Sequence, residues 1–169
     1  PRLRGDDTRA LFKMILKHIL KQPTQQIIKI SETPHREAEI LLAHALEKPR
    51  TYLHTYPEHE INQTDLDTFQ QLLHRRLQGE PIAYILGHTA FWDFELKVTH
   101  DTLIPRPETE LIVELILEKL TEQEKIYIAD LGTGSGAIAL ALAKERPHWQ
   151  LHATDQSHAA LIIAQQNAQ

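Results

Sequence analysis

The stretch IADLGTGSGAIALALAKERPHWQLHATD, residues 128–155, sets Gly132, Gly134 and Gly136 at every second position between an apolar run and an alanine-rich segment. Glycines at this spacing let a backbone turn sharply out of a strand and let a ligand approach main-chain amides with no Cβ in the way. Two cofactor classes use such a turn, dinucleotides and S-adenosylmethionine. Gly132, Gly134 and Ala137 also satisfy the dinucleotide pattern G-x-G-x-x-A, so the glycines alone leave both open.

Asp130 separates them by the sign of its charge. A dinucleotide rests its pyrophosphate on the helix N-terminus, where a carboxylate two residues before the first glycine would repel it. S-adenosylmethionine brings a sulfonium and an α-ammonium instead, and Asp130 favours both. Asp155 ends the next expected strand, where a carboxylate can accept hydrogen bonds from two ribose hydroxyls of either cofactor. Each acid also has a structural alternative: Asp130 as a solvated strand end, Asp155 as the N-cap of the helix that begins near Ser157.

The elements that must position these residues follow from periodicity. Strand 126–131, the glycine turn, helix 137–145, strand 150–155 and helix 157–168 make a βαβ unit, right-handed by default. Ahead of it, Pro107 opens a helix with Glu108 and Glu110 at the positive end of its dipole and an expected buried stripe of Ile112, Leu115, Ile116 and Leu120. From His88 to Val98 the period drops to two. Ala90, Trp92, Phe94, Leu96 and Val98 alternate with Phe91, Asp93, Glu95 and Lys97, as in a strand or hairpin with one covered face.

Earlier still the pattern is helical. Residues 8–21 carry Leu11, Ile15, His18 and Ile19, and Pro23 is expected to stop that helix. Thr33 and Pro34 open a second helix whose face is Ala38, Leu41, Leu42, Ala45 and Leu46, with Pro49 as its end and residues 51–57 as a connection. Thr64 is expected to cap a third, which buries Leu66, Phe69, Leu73 and Leu77 and stops at Gly79. The organisation expected is a helical bundle over 1–80, a hairpin linker over 81–106, and an α/β domain begun at 107–169.

Composition sets the bounds. An apolar fraction of 41% with 24% charged residues is that of a globular chain rather than a disordered one. No apolar run of transmembrane length and no signal-peptide core is present, so the reading is cytoplasmic, without a membrane partner. A formal charge of −5 does not advertise binding to a nucleic-acid backbone. With no cysteine there is no thiolate metal site, and the eleven histidines are scattered, so metal is not expected. Met14 is the only methionine, and the residues before it read either as an extension of the natural start or as a ragged first helix.

The order GEPIAYILGHTAFWDFELKV, then TLIPRPETE, then IADLGTGSGAIALALA resembles the peptide chain release factor N5-glutamine methyltransferases of the HemK/PrmC type, over about Met14 to Gln169. The TLIPRPETE segment is the more specific signature, since many S-adenosylmethionine enzymes share the glycine turn. The resemblance implies a small helical substrate-recognition domain, a β-hairpin linker, and the first part of a Rossmann-like methyltransferase domain that uses S-adenosyl-L-methionine. It implies release factors as protein substrates, methylated on the glutamine of their Gly-Gly-Gln loop. It further implies that Gly132, Thr133, Gly134, Ser135 and Gly136 surround the methionine part of the cofactor, with Asp130 in the same motif and Asp155 on the ribose. Phe91, Arg106 and Glu108 are candidates for the active-site mouth; Phe91 also reads as hairpin core, Arg106 as a structural ion-pair partner and Glu108 as a helix N-terminal acid. The Asn-Pro-Pro-Tyr motif that holds the acceptor glutamine does not occur in these residues, so no catalytic residue is assigned and the chain reads as a truncated piece of its parent. The alternatives are an enzyme that methylates amino groups of nucleic-acid bases, or a non-catalytic nucleotide-binding or interaction module.

Overall fold

The computed structural model describes residues 15–120 and 125–169, so expected helical positions before residue 15, Leu11 among them, lie outside the described residues. The chain is α/β and divides into two compact units, the break falling after Ile82 at the first residue of a short helix.

The first unit is helical: α1 (Leu16–Ile19), α2 (Lys21–Ile27), α3 (Pro34–Ala45), α4 (Thr51–Thr55) and α5 (Gln63–Leu77). Pro23 does not stop a helix. It is the third residue of α2, where first-turn N–H groups have no intrahelical partner and a missing one costs little. Helices α2, α3 and α5 pack together and bury Ile27, Leu41, Leu42 and Phe69, each worth roughly 1.5–3 kcal/mol. Arg76 of α5 crosses to Glu37 of α3, Nε to Oε2 at 2.8 Å. Glu39, only 4% exposed, is partnered by Arg50 Nε at 3.3 Å and by the imidazoles of His54, Nε2 at 3.0 Å, and His35, Nε2 at 3.1 Å.

Two helix ends differ from the expectation. Helix α3 stops before Pro49, at Glu47 with φ +52°, and Pro49 instead leads into α4 within the segment taken as a connection. The cap of α5 is Asn62 rather than Thr64: Asn62 Oδ1 accepts from the Asp65 N–H at 2.9 Å, while Thr64 is already helical. Thr33 does stand at the N-cap of α3 but makes no side-chain capping bond.

The second unit begins with α6 (Ile82–Leu86) and a two-stranded hairpin, β1 (His88–Phe91) and β2 (Phe94–Lys97), pairing Phe91 with Phe94 and Thr89 with Leu96. Trp92 and Asp93 form the turn, Trp92 at φ +57°. This corrects the single alternation read from residues 90 to 98. A two-residue turn puts odd positions of β1 on the same face as even positions of β2, so Phe91 is buried with Leu96 while Ala90 is exposed.

A 3-10 turn (Pro107–Thr109) leads into α7 (Glu110–Lys119); then come β3 (Tyr127–Leu131), α8 (Ala137–Glu145), β4 (Gln150–Thr154) and α9 (His158–Asn167). Strands β3 and β4 are parallel, Asp130 opposite Ala153. Phe91, Leu96, Val113, Ala137, Ala141, Leu142 and Trp149 form one apolar core that joins the hairpin to α7 and α8. Helix α7 turns Val113 inward, with Ile116, Leu117 and Leu120 partly covered, and leaves Ile112 and Leu115 exposed, so the expected stripe is displaced by part of a turn. Periodicity gives the width of that stripe, but the rotation follows the packing of α7 against α8. No helix of the described residues is long and apolar enough to cross a membrane.

Because only Asn62 meets the first turn of α5, Asn62→Ala is expected to cost the first unit about 1 kcal/mol of stability, and Thr64→Ala close to nothing. Urea unfolding followed on a probe in that unit checks the pair; equal effects would return the cap to Thr64.

Candidate functional site

Strand β3 delivers the chain into a loop in which Gly132, Gly134 and Gly136 all have positive φ, +83°, +57° and +87°. The three glycines divide the work. A Cβ on Gly132 or Gly134 would meet nothing within 4 Å, so these two leave bare backbone facing open space. A Cβ on Gly136 would lie 3.2 Å from Leu140 Cδ1 and 3.4 Å from Ala164 Cβ, so this glycine lets α8 start close against α9.

The loop satisfies most of its own polar groups. The N–H groups of Gly132 and Thr133 both donate to the Thr154 carbonyl, at 2.8 and 2.9 Å, which continues the β3–β4 pairing into the turn. Gly136 N–H donates to Thr133 O at 2.9 Å. Gly134 N–H donates to Asp155 Oδ2 at 2.9 Å. Among the described residues, the peptide between Gly134 and Ser135 is the one in the turn whose N–H and C=O take no partner.

Two carboxylates flank the loop. Asp130 Oδ2 accepts from the Thr133 hydroxyl at 2.7 Å. Asp155 Oδ1 accepts from Ser157 N–H at 2.9 Å, while Ser157 takes the N-cap of α9 by accepting from Ala160 N–H at 3.2 Å. Asp155 is therefore not that cap, the alternative open in the sequence. The N–H groups of Ser157 and Gly134 hold its carboxyl below the ordinary aspartate range. With four loop amides already engaged and two acids beside them, the site offers little to a pyrophosphate and favours positive charge.

The other expected residues fall in three settings. Thr133 and Ser135 are buried within the turn. Phe91, a candidate for the mouth, is 1% exposed and belongs to the apolar core, because the hairpin turn rotates it inward. Arg106 and Glu108 are exposed at the start of the 3-10 turn, and among the described residues neither side chain makes a hydrogen bond or ion pair. Glu110 is more than a complement to the helix dipole. Its Oε1 accepts from the Trp92 N–H at 2.8 Å, and Glu145 Oε1 accepts from the Trp92 indole at 2.8 Å, so two helices grip the hairpin turn. Asn167 bonds to Lys97 and to Ser135, across 70 and 32 residues of sequence, and no local pattern signals such a residue.

Comparison with known proteins places this geometry among relatives. Residues 18–87 match the family of the PrmC N-terminal domain, and residues 108–169 match the methyltransferase small domain. Proteins named release factor glutamine methyltransferase are similar along most of the chain: 55% identity in Coxiella burnetii over 90% of this chain and 55% of the relative. The relative in Vibrio cholerae is 47% identical over 93% of this chain and 55% of its own length, and that in Escherichia coli 45% over 92% and 56%. The chain thus spans about half the length of the curated relatives it matches.

Since the folded pKa of Asp155 is lowered, its contribution to stability is complete above the unfolded-state pKa and is lost as pH falls through the folded one. A carboxyl-carbon NMR titration is expected to find Asp155 ionising below an ordinary aspartate, with Gly134 N–H protection lost in the same step. An ordinary midpoint would mean that the Gly134 and Ser157 bonds do not form in solution.

Proposed function

We propose that the chain, in which a match to the PrmC N-terminal domain precedes a match to the methyltransferase small domain, serves S-adenosylmethionine-dependent methylation of the side-chain amide nitrogen of glutamine in peptide chain release factors. The observation that carries the cofactor assignment is the pair of acids, Asp130 and Asp155, held at a glycine turn whose amides are largely engaged within it.

When bound, S-adenosylmethionine supplies an electrophilic methyl group on a sulfonium. The residues of this chain hold and orient it. Gly132 and Gly134 give side-chain-free backbone, the unpartnered Gly134 carbonyl gives an acceptor, and Asp130 supplies negative charge toward the cationic part of the ligand. Asp155 is assigned to the ribose hydroxyls. Arg106 and Glu108 are assigned to the mouth of the site, since their charges are not consumed by internal pairs. Thr133 and Ser135 are buried supports of the turn rather than donors at its surface.

An amide nitrogen is a weak nucleophile because its lone pair is delocalised, so transfer needs the amide fixed in line with the methyl group and acceptors for its N–H bonds as charge develops. The Asn-Pro-Pro-Tyr residues suited to that task are not in this sequence, and no residue here is assigned to it. The helical unit of residues 18–82 is assigned to recognition of the protein substrate.

Isothermal titration is expected to show binding of S-adenosylmethionine and none of NAD, with Asp130→Asn weakening the former about tenfold by loss of a charged partner. NAD binding, or unchanged affinity in the variant, would overturn the cofactor assignment. Methyl transfer to a release factor, absent when the glutamine of its Gly-Gly-Gln loop is changed to alanine, tests the substrate in a protein that contains this chain and the remaining length of its relatives.

A further inference from the structure

Asn167 is the last residue of α9, and every hydrogen-bonding group of its side-chain amide except one lone pair is engaged. Oδ1 accepts from Lys97 N–H at 2.8 Å. Nδ2 donates to Lys97 O at 3.0 Å and to Ser135 O at 2.8 Å. Lys97 closes β2, an edge strand, and the amide of Asn167 meets its N–H and C=O as a neighbouring strand would. The second N–H reaches the centre of the glycine turn.

That reach has a specific consequence. Ser135 O belongs to the peptide that enters Gly136, the residue at φ +87° from which α8 starts. Asp155 holds the peptide that enters Gly134. The unpartnered Gly134–Ser135 peptide hangs between these two fixed planes, so its orientation is set by one acceptor on the strand side and one donor on the helix side. Asparagine alone suits the second position. Aspartate of the same size keeps the acceptor for Lys97, loses both donors, and sets a negative charge against two carbonyl oxygens.

We propose that Asn167 is a positioning residue for the cofactor, fixing the glycine turn through Ser135 and coupling it to the edge of the hairpin through Lys97. The inference rests on the reading of this turn as the S-adenosylmethionine site. It touches no ligand itself; it determines how the unpartnered Gly134–Ser135 peptide is aimed.

The test compares the wild-type protein with Asn167→Asp and Asn167→Ala by amide hydrogen exchange and by S-adenosylmethionine titration, at a temperature where all three are folded by near-ultraviolet circular dichroism. Asn167→Asp is expected to keep Lys97 N–H protected, to speed exchange at Gly136 N–H, and to weaken S-adenosylmethionine binding about tenfold, the loss of a well-made hydrogen bond and its replacement by repulsion. In a methyl-transfer assay the KM for the cofactor rises while that for the protein substrate holds. Asn167→Ala is expected to release both amides. Wild-type affinity in both variants, with the wild-type protein binding normally, overturns the positioning role and leaves the cofactor assignment standing. Failure of the wild-type protein to bind S-adenosylmethionine overturns the cofactor assignment, and with it the role of Asn167 toward that cofactor. In every case an unchanged Gly136 exchange rate in Asn167→Ala overturns the claim that Asn167 holds the turn.

Discussion

The hydrogen bond from Gly134 N–H to Asp155 is the contact on which the arrangement of this half of the molecule depends. It ties the middle of a turn after one strand to the residue that follows the neighbouring strand, and so makes a local loop answer to tertiary structure. Without it the turn would keep its two bonds to Thr154, the Gly136–Thr133 closure, the Thr133 hydroxyl on Asp130 and the Asn167 amide on Ser135, none of which holds the Gly134 N–H. Positive φ at three of five residues is tolerated because they are glycines, but tolerance is not specification. The carboxylate selects one conformation from the many that glycine permits.

The same economy runs through the packing beneath. The hairpin is bound into the second unit at both ends, by Glu110 and Glu145 at Trp92 and by Asn167 at Lys97. Between these points Phe91 and Leu96 enter the core with Val113 and Leu142. Its turn adopts φ +57° at a tryptophan, a conformation with a cost, and two glutamates from different helices hold it there.

What the sequence made legible was whatever obeys local rules. The βαβ unit, its glycine turn and both acids could be placed because strand, turn and helix each carry their own signature within a few residues. The face of α3 was equally plain. Errors came where two local rules competed or where a distant partner decided. Asn62 and Thr64 are both good caps, and only the bond to Asp65 selects between them. Pro23 reads as a stop or as a first-turn residue according to where the helix begins. The hairpin defeated a continuous period-two reading because its two-residue turn exchanges the parity of the faces. Helix α7 has apolar residues on more than one side, and its rotation is settled by tertiary packing, chiefly against α8. Asn167 and Glu145 act across many tens of residues, beyond any window of periodicity.

The double burden on Asp155 bears on how this site evolves and how it should be probed. A carboxylate has about four lone-pair positions. Here the N–H groups of Ser157 and Gly134 each take one oxygen, so the capacity left for any further donor is reduced and directional. Those same N–H bonds keep the group ionised, which strengthens whatever hydrogen bonds a ligand adds. Structural and ligand-binding roles are thus not separable at this residue: removing the carboxylate frees the turn and deletes the acceptor together. Asp130 differs, since its bond to Thr133 leaves its second oxygen without a hydrogen-bond partner among the described residues. The two acids of one motif therefore carry different physical information, Asp130 about the charge of the ligand and Asp155 about the shape of the loop that receives it.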